Sequence, residues 1–453
     1  MNATAILYSN NAWLMTSTGL VYLMTPALAC FYGGLVENKN FLNQLFLSIV
    51  CMAIIPVQWC LFGYSFAFGP GNSVFGSFQY ALLSPMAMVN SNGENIDKSN
   101  VASVTSLAFV AFQCSFATIT PALISGAVVG RMKIIPYMIF IFLWTTVCYA
   151  PLARWIVFNG GWLNKMGVMD FSGGLIVHLS SGISGLVAAI ILGSRFQFDP
   201  DAANIGQTNL AFTILGTGLL WVGWMGFTGG AAFAADGIAA LAIVNTNIGA
   251  ASSMTTWSIL DIINGKLRGH NSGFVSIPGL CSASIVGLVV VTPAAGFIQP
   301  CYALAMGFIG GVIVYSFLAC KRRFFHIDDT LDVFSCHGLG GMVGTCLTGL
   351  FCQKDVNEQG NNGALYGNPA QFLHQLIGIL VTGIYAGVCT AIILLSLHFT
   401  IGIRIHQVDQ ARGLDNIAHG VIEQRPSQDI KMPSMQKRRQ PSNVIATINI
   451  EHE

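Results

Sequence analysis

The chain has 453 residues, 53% of them hydrophobic and only 9% charged, with a formal net charge of +1 and a mean hydropathy of +0.64. Soluble domains carry about 25% charged residues, so a soluble enzyme is excluded, and a charge this small, spread along the chain, excludes a nucleic-acid surface. The twelve cysteines, among them Cys51, Cys60, Cys114 and Cys148, fall mostly in apolar stretches without Cys-x2-Cys spacing. They read as small core residues, not as a metal site or a disulfide framework.

A window of roughly 19 residues predicts an all-α membrane protein. It has eleven transmembrane helices, over 12–35, 41–68, 102–130, 134–152, 171–194, 208–230, 234–260, 274–293, 296–319, 333–352 and 370–400. Each has the roughly 17–25 apolar residues that cross about 30 Å of hydrocarbon. An odd number of spans puts the termini on opposite sides. With the N-terminus outside, the inward loops hold Lys39, Arg131, Lys133, Arg195, Lys266, Arg268, Lys321, Arg322 and Arg323, against Lys98, Arg154, Lys165 and Lys354 outside. This bias makes the C-terminus cytosolic.

No basic region precedes the first apolar run, so the first span is read as retained rather than cleaved. Residues 1–403 form the bundle and 404–453 a cytosolic tail. Pro426, Pro433, Pro441 and scattered charges predict disorder after about 420, and Lys437-Arg438-Arg439 reads as a solvated charge run. Glycine is abundant, 50 residues, and pairs such as Gly223 and Gly226 let backbones approach closely in lipid.

Two spans carry a histidine in the same local frame. His178 is followed by Gly182 and Gly185, and His337 by Gly341 and Gly344, so His-x3-Gly-x2-Gly occurs twice. An ionisable group at bilayer depth is costly and marks function by default, and its repetition suggests a repeated architecture with a polar device at the interface. Two neutral imidazoles in contact form a chain that takes a proton at one end and releases it at the other. The glycines at i+4 and i+7 let the two helices close until the rings meet.

Asp170 lies eight residues before His178, about 12 Å along a helix. It suits a helix cap and a site for an arriving cation equally well. The aromatic residues Phe112, Phe116, Phe158, Trp224 and Phe227 suit a cation-binding cup or an apolar gate.

At these residues the chain resembles the ammonium transporter family, the Amt/Mep/Rh proteins, and the Amt/Mep branch most. The matching stretches are Phe31-Tyr32-Gly33-Gly34-Leu35-Val36, Phe112-Gln113-Cys114-Ser115-Phe116, Asp170-Phe171-Ser172-Gly173-Gly174 leading to His178, and Gly223-Trp224-Met225-Gly226-Phe227. Further on come Asp328-Asp329-Thr330-Leu331-Asp332-Val333-Phe334 leading to His337-Gly338, and Arg412-Gly413-Leu414-Asp415 leading to His419-Gly420. The resemblance implies a homotrimer in the plasma membrane, each subunit with its own pore, built as an inverted 5+5 repeat plus one extra helix. It matches His178 and His337 to the twin pore histidines, and Phe116 and Phe227 to the stacked gate. It matches Trp224 and Asp170 to the external ammonium site, with Phe112 and Gln113 beside them. It implies ammonium or ammonia as the substrate, no cofactor or metal, and a possible cytosolic regulator at the tail.

Departures from the family pattern matter as much. Phe158 stands where the external cup usually has tryptophan, Ala231 where it has serine, and Pro70 at a position often acidic. A phenyl ring is a weaker cation–π partner than an indole and alanine accepts no hydrogen bond, so a weak external site is expected. The other readings are an ammonium sensor acting through the tail and a gas channel of the Rh kind. An intramembrane metal hydrolase lacks both a His-Glu-x2-His motif and a third ligand.

Overall fold

The computed structural model describes residues 3–84, 103–196, 198, 209–269 and 273–420. The expectations for Lys98, for the start of the third span and for the tail beyond Gly420 lie outside them. Among the described residues the regular structure is helical, apart from two isolated backbone bridges, Gly71 with Gly76 and Met132 with Arg404.

The longer helices run in chain order as α1 (Ala3–Leu35), α2 (Phe41–Gln58), α3 (Ser106–Val128), α4 (Ile134–Trp144), α5 (Ser180–Leu192), α6 (Leu210–Gly230), α7 (Gly237–Leu267), α8 (Ile277–Val291), α9 (Pro300–Phe324), α10 (Gly340–Phe351) and α11 (Pro369–Thr400), with the short helices Tyr64–Phe68, Ala150–Ile156 and Trp162–Met166 between them. Two short helices follow, α12 (Gln407–Arg412) and α13 (Leu414–His419). Four π-helical segments interrupt or precede these rods. Trp59–Gly63 continues α2 and Thr145–Tyr149 continues α4, while Gly174–Leu179 leads into α5 and Phe334–Leu339 into α10. Nine described helices are long and apolar enough to cross a membrane, which makes this a multi-pass membrane protein. The stretch expected at 274–293 is the shorter apolar helix α8, and the one at 333–352 is divided between a π segment and α10.

Apolar side chains cannot drive helix association in lipid, so close packing at small residues does that work. On α6, a Cβ added at Gly216 would strike the backbone of Phe31 and Ala27, and one at Gly223 would meet Met24. The absence of side chains there lets α6 lie along α1, its most extensive neighbour.

At the end of the bundle that carries the C-terminal segment, charges are paired. Asp328, buried, takes Nε and Nη2 of Arg195 at 2.8 and 2.9 Å, with Nη1 of Arg131 at 3.7 Å. The segment after α11 docks beside it. The Asp415 carboxylate accepts the N–H groups of Leu42 and Asn43 at the start of α2, at 2.9 and 2.8 Å, and the Asn40 side chain accepts that of Leu414 at 3.1 Å. A carboxylate at a helix N-terminus satisfies orphan donors and meets the positive end of the dipole.

Candidate functional site

Both histidines sit on π segments built the same way. Asp170 takes four backbone N–H groups, from Gly173, Gly174, Leu175 and Ile176, at 2.6–3.2 Å. The chain turns at Gly173, φ +112°, and the π segment Gly174–Leu179 places His178. In the second half Asp329, eight residues before His337, accepts the N–H of Phe334 at 2.8 Å. There the turn falls at Asp332, φ +56°, five residues before the histidine, as Gly173 is in the first half. Sequence reading singled out Asp170 but missed its counterpart Asp329, although the eight-residue spacing to histidine is the same and was there to be seen.

The two frames meet through glycine. A Cβ on Gly182 would strike the backbone of Gly338, and one on Gly341 would lie 2.7 Å from the Gly174 carbonyl and 3.1 Å from the Leu179 nitrogen. Each half therefore presses the glycine four residues beyond its histidine onto the residue that follows the other histidine. Such reciprocal contact is what a two-fold relation produces. It brings Nδ1 of His178 to 3.2 Å from Nδ1 of His337, with ring centroids 5.3 Å apart and planes 20° from parallel.

Both rings are buried. An Nδ1 to Nδ1 hydrogen bond forces opposite tautomers. One ring donates at Nδ1 and keeps an acceptor Nε2, while the other accepts at Nδ1 and carries Nε2–H. The Nε2 atom of His178 is buried and has no hydrogen-bond partner among the described residues. The imidazoles line an enclosed space together with Met24, Leu28, Phe31, Ile119, Leu123, Val177, Leu220, Trp224, Phe227 and Ile285. It offers about 10 Å³ to the centre of a water-sized molecule, which is room for roughly one.

Trp224 stacks on His178 at 5.2 Å and 15°, held by its indole N–H, which donates to Thr292 Oγ1 at 2.9 Å. Phe227 is 5.9 Å from His178 and stacks on Phe116 at 4.1 Å and 8°. Phe112 follows at 4.9 Å from Phe116. Gln113, 4% exposed, lies next to Phe112 on α3.

The structure does not bring Phe158 to these rings. Among the described residues, its ring contact is the Arg154 guanidinium, 3.5 Å from the centroid, which also donates to the carbonyls of Gly69 and Asn72. Ala231 caps α6 and presents only a methyl group. Phe233, which sequence reading passed over, lies 5.8 Å from Phe112; an isolated aromatic in an alanine-rich turn carries no periodic signal.

Residues 12–423 match the model of the Ammonium Transporter Family. The chain is similar to an ammonium transporter of Bacillus subtilis, 38% identical over 88% of this chain and 95% of that one. It is also similar to one of Aquifex aeolicus, 39% identical over 91% and 92%. The crystal structure of Saccharomyces cerevisiae Mep2 superposes with a TM-score of 0.81 at 32% identity, covering 90% of this chain and 92% of that one. With a family model spanning nearly its whole length and relatives this similar across most of theirs, the chain belongs to the Ammonium Transporter Family.

Proposed function

We propose that the protein carries ammonium across a membrane by recruiting the ion at an external vestibule, removing its proton, and conducting ammonia past the Phe116/Phe227 gate and along His178 and His337. Membership of the family supports the substrate. Magnitudes support the route. Taking a bare monovalent ion into a low-dielectric interior costs on the order of 20 kcal/mol in the idealised limit, and one aromatic contact returns only about 0.5–2 kcal/mol.

The observation that carries this reading is the imidazole pair. The rings meet at 3.2 Å, the Nε2 of His178 has no hydrogen-bond partner among the described residues, and both rings border a carbon-lined space with room for about one water-sized molecule. A proton taken up at the acceptor Nε2 of one ring can pass across the Nδ1 contact and leave from Nε2–H of the other, so a relay runs beside the ammonia. Net charge need not cross as an ion.

Uptake and current in cells lacking their own ammonium transport, and in vesicles of purified protein, test the proposal. Ammonium-dependent uptake with an inward current is expected. No uptake in either preparation overturns it, and uptake without current leaves the gas-channel route in place of the relay. As the resemblance implies, we propose a homotrimer with the N-terminus outside and the C-terminus in the cytosol.

A sensor reading has one favouring observation. The segment after α11 is docked on α2 through Asp415, where a cytosolic partner would reach it. A chain shortened before Gln407 that still transports but no longer elicits an ammonium response favours the sensor.

A further inference from the structure

The external cup implied by the family lacks two of its usual parts here. The ring of Phe158 is covered by Arg154, and Ala231 has no hydroxyl. In the turn after α6, Phe233 stands in an uncommon conformation. Its φ is +52°, in the left-handed region that bulky side chains rarely adopt. Such residues persist only where the surroundings over-determine them, and they cluster at ligand clamps and active sites.

The surroundings here do over-determine it. The Phe233 N–H donates to the Gly230 carbonyl at 2.9 Å, and the Phe233 carbonyl accepts from Ser103 Oγ at 2.8 Å. Asn10 closes the clamp, donating from Nδ2 to the Ser103 carbonyl at 3.0 Å and accepting the Ala235 N–H at 2.9 Å. Helix α1, the segment before α3 and the turn after α6 are thus tied around one residue.

The tie sets the ring against two phenylalanines of α3. It meets Phe112 edge-on, at 5.8 Å and 84°, and Phe109 at 5.4 Å. From Phe112 the rings continue through Phe116 and Phe227 to His178. Phe112 and Phe116 are buried, whereas Phe233 is only half-buried, so the ladder of rings reaches the protein surface at this residue. An aliphatic side chain would pack the turn as well without a ring, but it would offer an arriving cation no π face.

We propose that Phe233 is the outer aromatic wall of the ammonium site in this protein, replacing the face that Phe158 yields to Arg154, and that it sets the affinity for ammonium and small alkylammonium ions. This rests on the transport reading. The test is methylammonium uptake by the full-length protein, with the half-saturating concentration and the maximal rate measured separately. Phe233→Leu is expected to raise the half-saturating concentration about tenfold with the maximal rate kept, and Phe233→Trp to hold it at the wild-type value or lower it.

Ser103→Ala, which leaves the ring but loosens the clamp, is expected to shift the half-saturating concentration in the same direction by a smaller factor. It keeps the test open if Phe233→Leu fails to fold. An unchanged half-saturating concentration in Phe233→Leu, or in Ser103→Ala where Phe233→Leu does not fold, overturns the proposal while wild-type uptake stands. Absence of wild-type uptake overturns the transport reading itself.

Discussion

Nδ1 of His178 and Nδ1 of His337 are hydrogen-bonded at 3.2 Å across 159 residues of chain. Neither ring therefore behaves alone. Each fixes the tautomer of the other, and removing one leaves a buried nitrogen without its partner.

That dependence makes the single and double variants differ. Replacing either histidine by leucine is expected to lower ammonium-dependent current at least about tenfold, since the proposed relay needs both rings. Each single change also strands a polar nitrogen, at a cost of about 1–3 kcal/mol. The double variant His178→Leu/His337→Leu strands none and should melt above either single one. Thermal melting in detergent checks this, and additive losses in the double variant would show that the rings do not interact.

Glycine spacing sets how close the rings come. A Cβ at Gly341 would lie 2.7 Å from the Gly174 carbonyl, too close for any real contact, so Gly341→Ala must push the helices apart. A loss of about 1–3 kcal/mol, as for an overpacked core, is expected along with a loss of current despite both histidines being present. Gly218 on α6 has nothing within 4 Å of an added Cβ. Gly218→Ala should be neutral, or more stable by up to about 1 kcal/mol, and calorimetry of the two variants side by side reads the contrast.

Asp170 separates its two candidate roles by charge. Its Oδ1 caps Gly173 and Gly174, and its Oδ2 caps Leu175 and Ile176. Asparagine keeps one acceptor oxygen, drops the charge and sets an N–H donor against two backbone N–H groups, so Asp170→Asn should lose about 1–3 kcal/mol of stability and still fold. If the carboxylate also steadies the arriving cation, uptake falls well beyond that loss. Wild-type uptake at low ammonium in this variant would assign Asp170 to capping alone.

The paired charges beside the docked C-terminal segment predict an acid response. Burial by itself would raise the Asp328 carboxyl. The guanidinium charges of Arg131 and Arg195, with the Arg195 hydrogen bonds, outweigh burial and hold it below the ordinary carboxylate value. A carboxylate depressed in the folded state contributes stability that is fully present above the unfolded value of about 3.9. That contribution is lost as pH falls through the lower folded value. Asp328→Asn takes the ion-pair partner from Arg195 and the nearest carboxylate from Arg131, and is expected to cost about 3–5 kcal/mol near neutrality. Its melting temperature should lack the steep decline expected of the wild type below about pH 4.

The frame around each histidine was legible in the chain because it is local. Length and apolarity count along the sequence, so the stretches from 12–35 to 370–400 could be marked out before any contact was known. The repeated His-x3-Gly-x2-Gly could be read with them. The equal spacing of Asp170 and Asp329 to their histidines was just as local, but it needed the capping bonds to give it meaning. Phe158 shows the opposite case, since its residue type suggested a cup and its neighbour Arg154 took the ring.

What the sequence alone determined is therefore a chain of apolar helices and the residues proposed to carry protons or meet a cation, all read from neighbours along one chain. Only the tertiary structure decided which of those residues face one another. The crossing of two distant helices at Gly182 and Gly341 set the 3.2 Å contact of the imidazoles. The clamp from Asn10 and Ser103 turned Phe233 toward Phe112. Contacts across such separations depend on packing between elements, and no spacing within an element encodes them.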